Sequence, residues 1–122
     1  MSYKCFEVSI KNKIAHIVMN RPEKRNSMIP EFWDELPVIV KELDANAEAR
    51  VIVISSTGPH FTAGIDTAVF SNNAAQSDDP IVAEKQRRTH GAKLYDTVAY
   101  LQQTFTCLEK CRVPVLVAIQ GG

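Results

Sequence analysis

The chain has 122 residues, of which 45% are hydrophobic, and its 14 lysine and arginine residues balance 14 aspartate and glutamate residues. This length and composition fit one domain over residues 1–122 with enough apolar side chains for a packed core. A net charge of zero excludes a general attraction to nucleic acid or to an anionic membrane, so an anionic ligand must be bound by a local group of residues.

The cysteines and the start of the chain indicate an intracellular protein. Cys5, Cys107 and Cys111 are an odd number without a disulfide-rich spacing, which favours free thiols in a reducing compartment. Cys107 and Cys111 could share a helix face, but without a nearby pair of histidines we expect them to pack and not to bind a metal. Met1–Phe6 lead directly into strand-like sequence, so we expect no targeting segment there, and no stretch is long enough to span a membrane.

The first half of the chain predicts a β-hairpin, a polar loop and a helix. Cys5–Ile10 and Ile14–Met19 have the composition of two strands joined by a short polar turn. Asn20–Ser27 is expected to be a loop before a helix that begins near Pro30. Apolar residues then follow a helical period: Phe32, Leu36, Ile39, Val40 and Leu43. Pro37 lies inside this pattern and is expected to kink the helix or shift its start, because proline has no N–H to donate.

The second half predicts two strands separated by a long helix, which together with the first half indicates an α/β fold with parallel crossovers. Val51–Ser55 is a nearly continuous apolar run, as expected of a strand buried on both faces. Ser71–Pro80 is rich in small polar residues and is expected to be a mobile surface segment. The helix carries apolar residues at steps of three and four: Leu94, Val98, Leu101, Phe105 and Leu108. Arg112–Pro114 ends it, and Val113–Ile119 forms the last strand.

The most informative stretch is FTAGID, at Phe61–Asp66, because it follows the Val51–Ser55 strand and precedes a predicted helix. Gly64 allows a backbone conformation and a close approach that a side chain would block. The first turn of a helix presents unpaired amide donors, which suit a developing oxyanion. The alternative is a strand-to-helix turn in which Gly64 relieves strain and Asp66 caps the helix. The two roles can share one turn, with Asp66 as the cap and not as a catalyst.

Four segments resemble one family in their order and spacing. They are NRPEKRNSM at Asn20–Met28, FTAGID at Phe61–Asp66, YLQQTF at Tyr100–Phe105 and KCRVPVLVAIQGG at Lys110–Gly122. With the opening strand pair they resemble the N-terminal part of the crotonase superfamily, the enoyl-CoA hydratases and isomerases. Within it, the isoleucine after Ala-Gly and the YLQQTF helix are most similar to the Δ3,5-Δ2,4-dienoyl-CoA isomerases.

This resemblance implies that residues 1–122 are the N-terminal portion of a single crotonase-like domain, a spiral of ββα units. The complete protein is expected to assemble as a homotrimer or hexamer and to bind acyl-CoA thioesters, with no cofactor besides the CoA of the substrate. In the family, two backbone N–H groups polarise the thioester carbonyl and stabilise an enolate while acidic side chains move protons. The first of these donors corresponds here to the N–H of Ile65. The expected substrate-binding residues are Lys24, Arg25, Met28, Ala63, Gly64, Ile65, Asp66 and Thr67. Lys24 and Arg25, with Arg21, could hold the CoA phosphates, or they could be a solvated surface loop.

The second donor and the catalytic carboxylates of the family follow the turn that Gly121–Gly122 resembles, so residues 1–122 alone are predicted to be inactive. The functional hypothesis is a dienoyl-CoA isomerase of fatty-acid β-oxidation, mitochondrial or peroxisomal in a eukaryote and cytoplasmic otherwise. One alternative is a noncatalytic acyl-CoA-binding or assembly module. The other is a different reaction on the same scaffold, such as hydration, decarboxylation, dehalogenation or thioester hydrolysis.

Overall fold

The computed structural model describes residues 3–67 and 78–121. Its elements are β1 (Phe6–Lys11), β2 (Ile14–Met19), a short 3-10 turn (Pro22–Lys24), α1 (Pro30–Asn46), β3 (Val51–Ser56), α2 (Pro80–Lys110) and β4 (Val115–Val117). These bounds confirm the predicted hairpin, both helices and the third strand. The last strand is shorter than the predicted Val113–Ile119. Most of the expected surface segment Ser71–Pro80 lies outside the described residues.

Within the described residues the strands form one sheet in the order β1-β2-β3-β4. β1 and β2 are an antiparallel hairpin whose two-residue turn, Asn12 and Lys13, has φ values of 53° and 66°. These left-handed conformations match the right-handed twist of the two strands. β3 pairs in parallel with both β2 and β4, and α1 and α2 provide the crossovers that parallel pairing requires.

The core lies between α1 and one face of the sheet. Its largest contributors are Phe6, Ile17, Met19, Phe32, Trp33, Leu36, Ile39, Val40, Leu43, Ile52 and Ile54. β3 was expected to be buried on both faces, and this expectation is wrong for the described residues. Ile52 and Ile54 are buried, whereas Val51 and Val53 on the other face are half-buried, because α1 covers one side of the sheet.

Pro37 does not shift the start of α1, which begins at the predicted position and continues through the proline. Because Pro37 has no N–H, the carbonyl of Trp33 loses its intrahelical donor. The hydroxyl of Thr104 on α2 lies 3.4 Å from this carbonyl oxygen. The hydroxyl of Tyr100 lies 3.5 Å from it, but its one hydrogen is donated to the Asp34 carboxylate. The proline therefore leaves an acceptor at which α2 docks on α1.

The predicted apolar stripe of α2 is largely exposed within the described residues. Leu94, Val98 and Phe105 keep 46%, 44% and 45% of their surface accessible. The contacts of α2 with the core come from its C-terminal part, where Leu101, Cys107 and Leu108 are half-buried. Cys107 therefore packs, as the sequence predicts. Among the described helices, none combines the length and apolar character needed to cross a membrane.

Candidate active site

FTAGID lies beside the end of the polar loop that follows β2. The Ala63 N–H donates to the carbonyl of Arg25 at 2.9 Å, and the Met28 N–H donates to the carbonyl of Gly64 at 2.8 Å. The Asp66 N–H in turn donates to the carbonyl of Met28 at 2.8 Å, which completes a parallel bridge between Met28 and Ile65. The fold thus brings together predicted site residues from two separate parts of the sequence.

The Ile65 amide is left free in this turn, as is that of Thr62 among the described residues. The Gly64 N–H donates to the hydroxyl of Thr62 at 3.1 Å, and the Asp66 N–H is bonded to Met28. Among the hydrogen bonds of residues 3–67 and 78–121, none uses the Ile65 N–H. Ile65 keeps 40% of its surface exposed. The turn therefore presents the Ile65 N–H as an unpaired backbone donor at an open surface.

The direction of this donor is fixed by the peptide plane to which it belongs. The Ile65 N–H and the Gly64 carbonyl are parts of the same planar trans peptide group, so they point in opposite directions. The Gly64 carbonyl is bonded to the Met28 N–H at 2.8 Å. The Ile65 N–H consequently points away from the polar loop.

The backbone conformation at position 64 requires glycine. Its φ is +88°, in the region that side chains disfavour. A Cβ placed on Gly64 would meet no described atom within 4 Å. The predicted special conformation is confirmed, and the space beside Gly64 is open enough for a ligand atom to approach the backbone.

Asp66 is held by the polar loop. The Ser27 hydroxyl donates to Asp66 Oδ2 at 2.9 Å. The helix that Asp66 is predicted to cap would continue into residues outside the described range, so the capping role stays a prediction. Thr67, another expected substrate contact, is exposed at the end of the described stretch.

The three basic residues of the polar loop differ in their availability for an anion. The Arg21 guanidinium donates to the Ser27 carbonyl at 3.0 Å and is half-buried, so it supports the loop itself. Lys24 and Arg25 are exposed, and neither forms an ion pair with another described residue. Two cations therefore remain available close to the Arg25 carbonyl that holds Ala63.

Asn26 was not predicted as a site residue, although it is only 3% exposed. Its Oδ1 accepts from the Arg21 N–H at 2.8 Å, and its Nδ2 donates to the carbonyls of Thr57 and His60 at 2.8 and 3.2 Å. Its φ of 52° is a left-handed conformation that asparagine tolerates. An asparagine inside a basic loop is a weak signal in the sequence, because the two carbonyl groups that it bonds belong to residues 31 and 34 positions away.

Gln120 was also missed. After β4, its Nε2 lies 2.9 Å from the Ser56 hydroxyl and 3.1 and 3.2 Å from the carbonyl oxygens of Ser56 and Gly58. The backbone carbonyl of Gln120 accepts from the Phe61 N–H at 2.9 Å. A Cβ on the next residue, Gly121, would lie 2.4 Å from a carbonyl oxygen in the same turn, and Gly121 has a φ of +73°. The fold thus places Gly121 against the turn that leads to FTAGID.

The sequence profile of the enoyl-CoA hydratase/isomerase family matches residues 9–122. The chain belongs to this family. It is 35% identical to the mitochondrial Delta(3,5)-Delta(2,4)-dienoyl-CoA isomerase of Rattus norvegicus over 122 residues, which are 99% of this chain and 36% of that protein. It is 33% identical to the peroxisomal enzyme of the same name from Arabidopsis thaliana over 124 residues, or 99% of this chain and 43% of that protein. The chain thus spans less than half the length of these two relatives.

Solved structures of the family share the fold. An enoyl-CoA hydratase from Shewanella pealeana superimposes with a TM-score of 0.78 at 17% identity, over 97% of this chain and 40% of that one. A putative enoyl-CoA hydratase from Thermobifida fusca, solved in complex with CoA, gives a TM-score of 0.71 at 28% identity, over 96% and 42% of the two chains. The predicted family and its crotonase-like α/β fold are confirmed.

Proposed function

We propose that the protein is an acyl-CoA isomerase of the Δ3,5-Δ2,4-dienoyl-CoA type and that the Ile65 N–H is its first oxyanion donor. The observation that carries this proposal is the unpaired amide of Ile65, at the position where the family resemblance puts that donor. The names of the relatives at 33% and 35% identity support the dienoyl-CoA substrate.

The chemistry of this isomerisation explains why an amide donor is needed. A proton leaves carbon 2 beside the thioester carbonyl, the two double bonds move from positions 3 and 5 to positions 2 and 4, and a proton is added at carbon 6. Negative charge collects on the thioester oxygen between these steps. In other enzymes the loss of one such donor lowers kcat by about 10²–10³-fold. A fixed peptide plane keeps the Ile65 N–H aimed without reorganisation.

The groups that move the protons are assigned to the part of the protein outside residues 1–122. Asp66 is the acidic residue of the turn, but its carboxylate is hydrogen-bonded to Ser27, and a negative charge next to the developing anion would oppose the reaction. Asp66 is therefore assigned to holding the turn.

The CoA portion of the substrate is assigned to the polar loop. Lys24 and Arg25 are exposed cations that can bind phosphate groups, while Met28 and the Ala63–Thr67 segment border the acyl thioester. The CoA bound to the 28%-identical Thermobifida fusca protein supports this ligand class. We further propose a homotrimer or hexamer that acts in β-oxidation without a cofactor of its own, in mitochondria or peroxisomes if the source is a eukaryote.

The proposal is tested with the full-length gene product and two substrates. A 3,5-dienoyl-CoA should be converted to the 2,4-isomer, seen as growth in absorbance from the diene conjugated to the thioester. A 2-enoyl-CoA tests for hydration, seen as loss of the enoyl absorbance. Conversion of the 2-enoyl-CoA alone would replace the isomerase assignment by a hydratase. Turnover of neither would contradict an enzymatic function.

A further inference from the structure

The turn between β3 and FTAGID, residues 56–60, is held by two side-chain amides that come from different segments. Asn26 belongs to the polar loop after β2, and Gln120 follows β4. Four carbonyl groups of the turn accept hydrogen bonds from them, those of Thr57 and His60 from Asn26 and those of Ser56 and Gly58 from Gln120. We call Asn26 and Gln120 together the amide clamp.

A side-chain amide meets the chemical requirement at these two positions. A carboxamide nitrogen carries two N–H donors in one plane, so it can bond two neighbouring carbonyl oxygens at once. A carboxylate of the same size has no donor and would repel the carbonyl oxygens. The oxygen of Asn26 is also used, since it accepts from the Arg21 N–H. The buried Asn26 side chain is thus bonded at both ends, as burial requires.

The clamp is connected to the Ile65 amide through two short links from the Asn26 segment. The Asn26 carbonyl accepts from the Thr62 hydroxyl at 2.7 Å, and that hydroxyl accepts from the Gly64 N–H. Two residues after Asn26, the Met28 N–H fixes the Gly64–Ile65 peptide plane. Displacement of the polar loop from the turn would therefore rotate or shift that plane.

We propose that Asn26 and Gln120 are positioning residues that set the location and direction of the Ile65 N–H. This inference rests on the proposed function, because the Ile65 amide has a catalytic role only if it meets a thioester oxygen. The clamp joins three segments of the chain, namely the loop after β2, the turn after β3 and the residues after β4. The clamp acts by holding the Ile65 N–H in place, and neither Asn26 nor Gln120 is assigned a contact with the substrate.

The test uses isosteric variants of the full-length protein, Asn26→Asp and Gln120→Glu. Each keeps the side-chain size and removes the donors. Asn12→Asp is the matched control, since Asn12 has a φ of 53° against 52° for Asn26 and is exposed in the hairpin turn. Misplacement of a catalytic group by about 1 Å can lower the rate by about 10²-fold. We expect a decrease of that size in kcat, with KM little changed, in both clamp variants and not in Asn12→Asp.

A structural and a spectroscopic measurement separate positioning from a general loss of stability. In crystal structures of the clamp variants we expect the Ile65 nitrogen to move by more than about 0.5 Å, the tolerance of catalytic geometry. The carbonyl stretch of a bound, isotope-labelled thioester should return toward its frequency in free substrate. If Asn26→Asp does not fold, Gln120→Glu provides the same test, because Gln120 is only half-buried.

Folded variants with wild-type kcat would overturn the proposal, and so would a decrease in kcat with the Ile65 nitrogen unmoved. A wild-type protein that turns over no acyl-CoA would contradict the proposed function instead. In that case the position of the Ile65 nitrogen in the variant crystals still decides whether the clamp holds the turn.

Discussion

The two helices of this chain differ sharply in how they are packed. α1 has 17 residues, and six of them are buried against the sheet. α2 has 31 residues, and Thr104 is the one that is buried within the described part of the chain. The buried apolar residues of that part all precede residue 55. The layer of β1, β2, α1 and β3 therefore forms the core, whereas α2 and β4 connect that core to Gln120 and the site.

The largest expected effect is a cavity in the core layer. Ile17 has no exposed surface, so Ile17→Ala should lower the free energy of unfolding of the 122-residue chain by about 2–5 kcal/mol. Leu94→Ala, at the exposed face of α2, should change it by about 0.5 kcal/mol or less. Urea denaturation measures both. Equal losses would show that α2 is packed as tightly as the core, and would remove the contrast between the helices.

The next effect tests the docking of α2 on α1. Thr104→Val removes the nearer of the two hydroxyls at the Trp33 carbonyl, and the other, that of Tyr100, gives its one hydrogen to Asp34. A buried unsatisfied acceptor costs about 1–3 kcal/mol. Thr97→Val is the control, since the exposed Thr97 hydroxyl bonds the carbonyl of Lys93 in its own helix. Adding Pro37→Ala to Thr104→Val should restore stability, because the alanine N–H can donate to Trp33. No recovery in the double variant would argue against this role of Pro37.

A smaller effect on stability distinguishes Gly64 from Gly91. Gly64→Ala should cost about 1–2 kcal/mol, because its φ of +88° is left-handed. Gly91→Ala, inside α2, should instead increase stability by about 0.5–1 kcal/mol, since alanine favours helix. Neither new methyl group meets a described atom within 4 Å, so thermal denaturation of both variants isolates the backbone term. A stabilising Gly64→Ala would mean that the turn has another conformation.

The effect that is smallest near neutral pH concerns Cys5 in the core layer. Burial, with a lesser contribution from the Glu35 carboxylate, raises the pKa of this thiol to about 11 from 9.0. Between these two values the unfolded chain loses the proton while the folded chain keeps it, so stability falls as the pH rises through that window. Cys5→Ala should remove this part of the alkaline destabilisation, as measured by urea denaturation at several pH values. An identical pH dependence in the variant would contradict the assignment.

Local features of the fold could be predicted from sequence, and tertiary features could not. Strand-like composition and the polar turn predict the β1–β2 hairpin, and apolar periodicity predicts both helices. The open face of β3 and the exposed stripe of α2 depend on how the elements pack together. Apolar periodicity shows that a face exists but does not predict whether another element covers it.

The candidate site likewise contains residues that the sequence predicts and residues that only the tertiary structure identifies. The glycine-containing turn and the family resemblance are sufficient to select Ile65. Asn26 and Gln120 act on the 56–60 turn across 31 to 64 residues of sequence, so only the folded chain identifies their partners. Arg21 was grouped with the anion-binding residues because its charge is visible in the sequence, while its bond to the Ser27 carbonyl is not.

The most direct test of the central claim is kcat for a 3,5-dienoyl-CoA in full-length Ile65→Pro, compared with Ile65→Val. Proline removes the N–H, whereas valine keeps it and shortens the side chain. Circular dichroism is used to check that both variants are folded. The predicted result is a kcat about 10²–10³-fold lower for Ile65→Pro and near wild type for Ile65→Val. Equal kcat values in the two folded variants would contradict the claim that the Ile65 amide stabilises the thioester oxyanion.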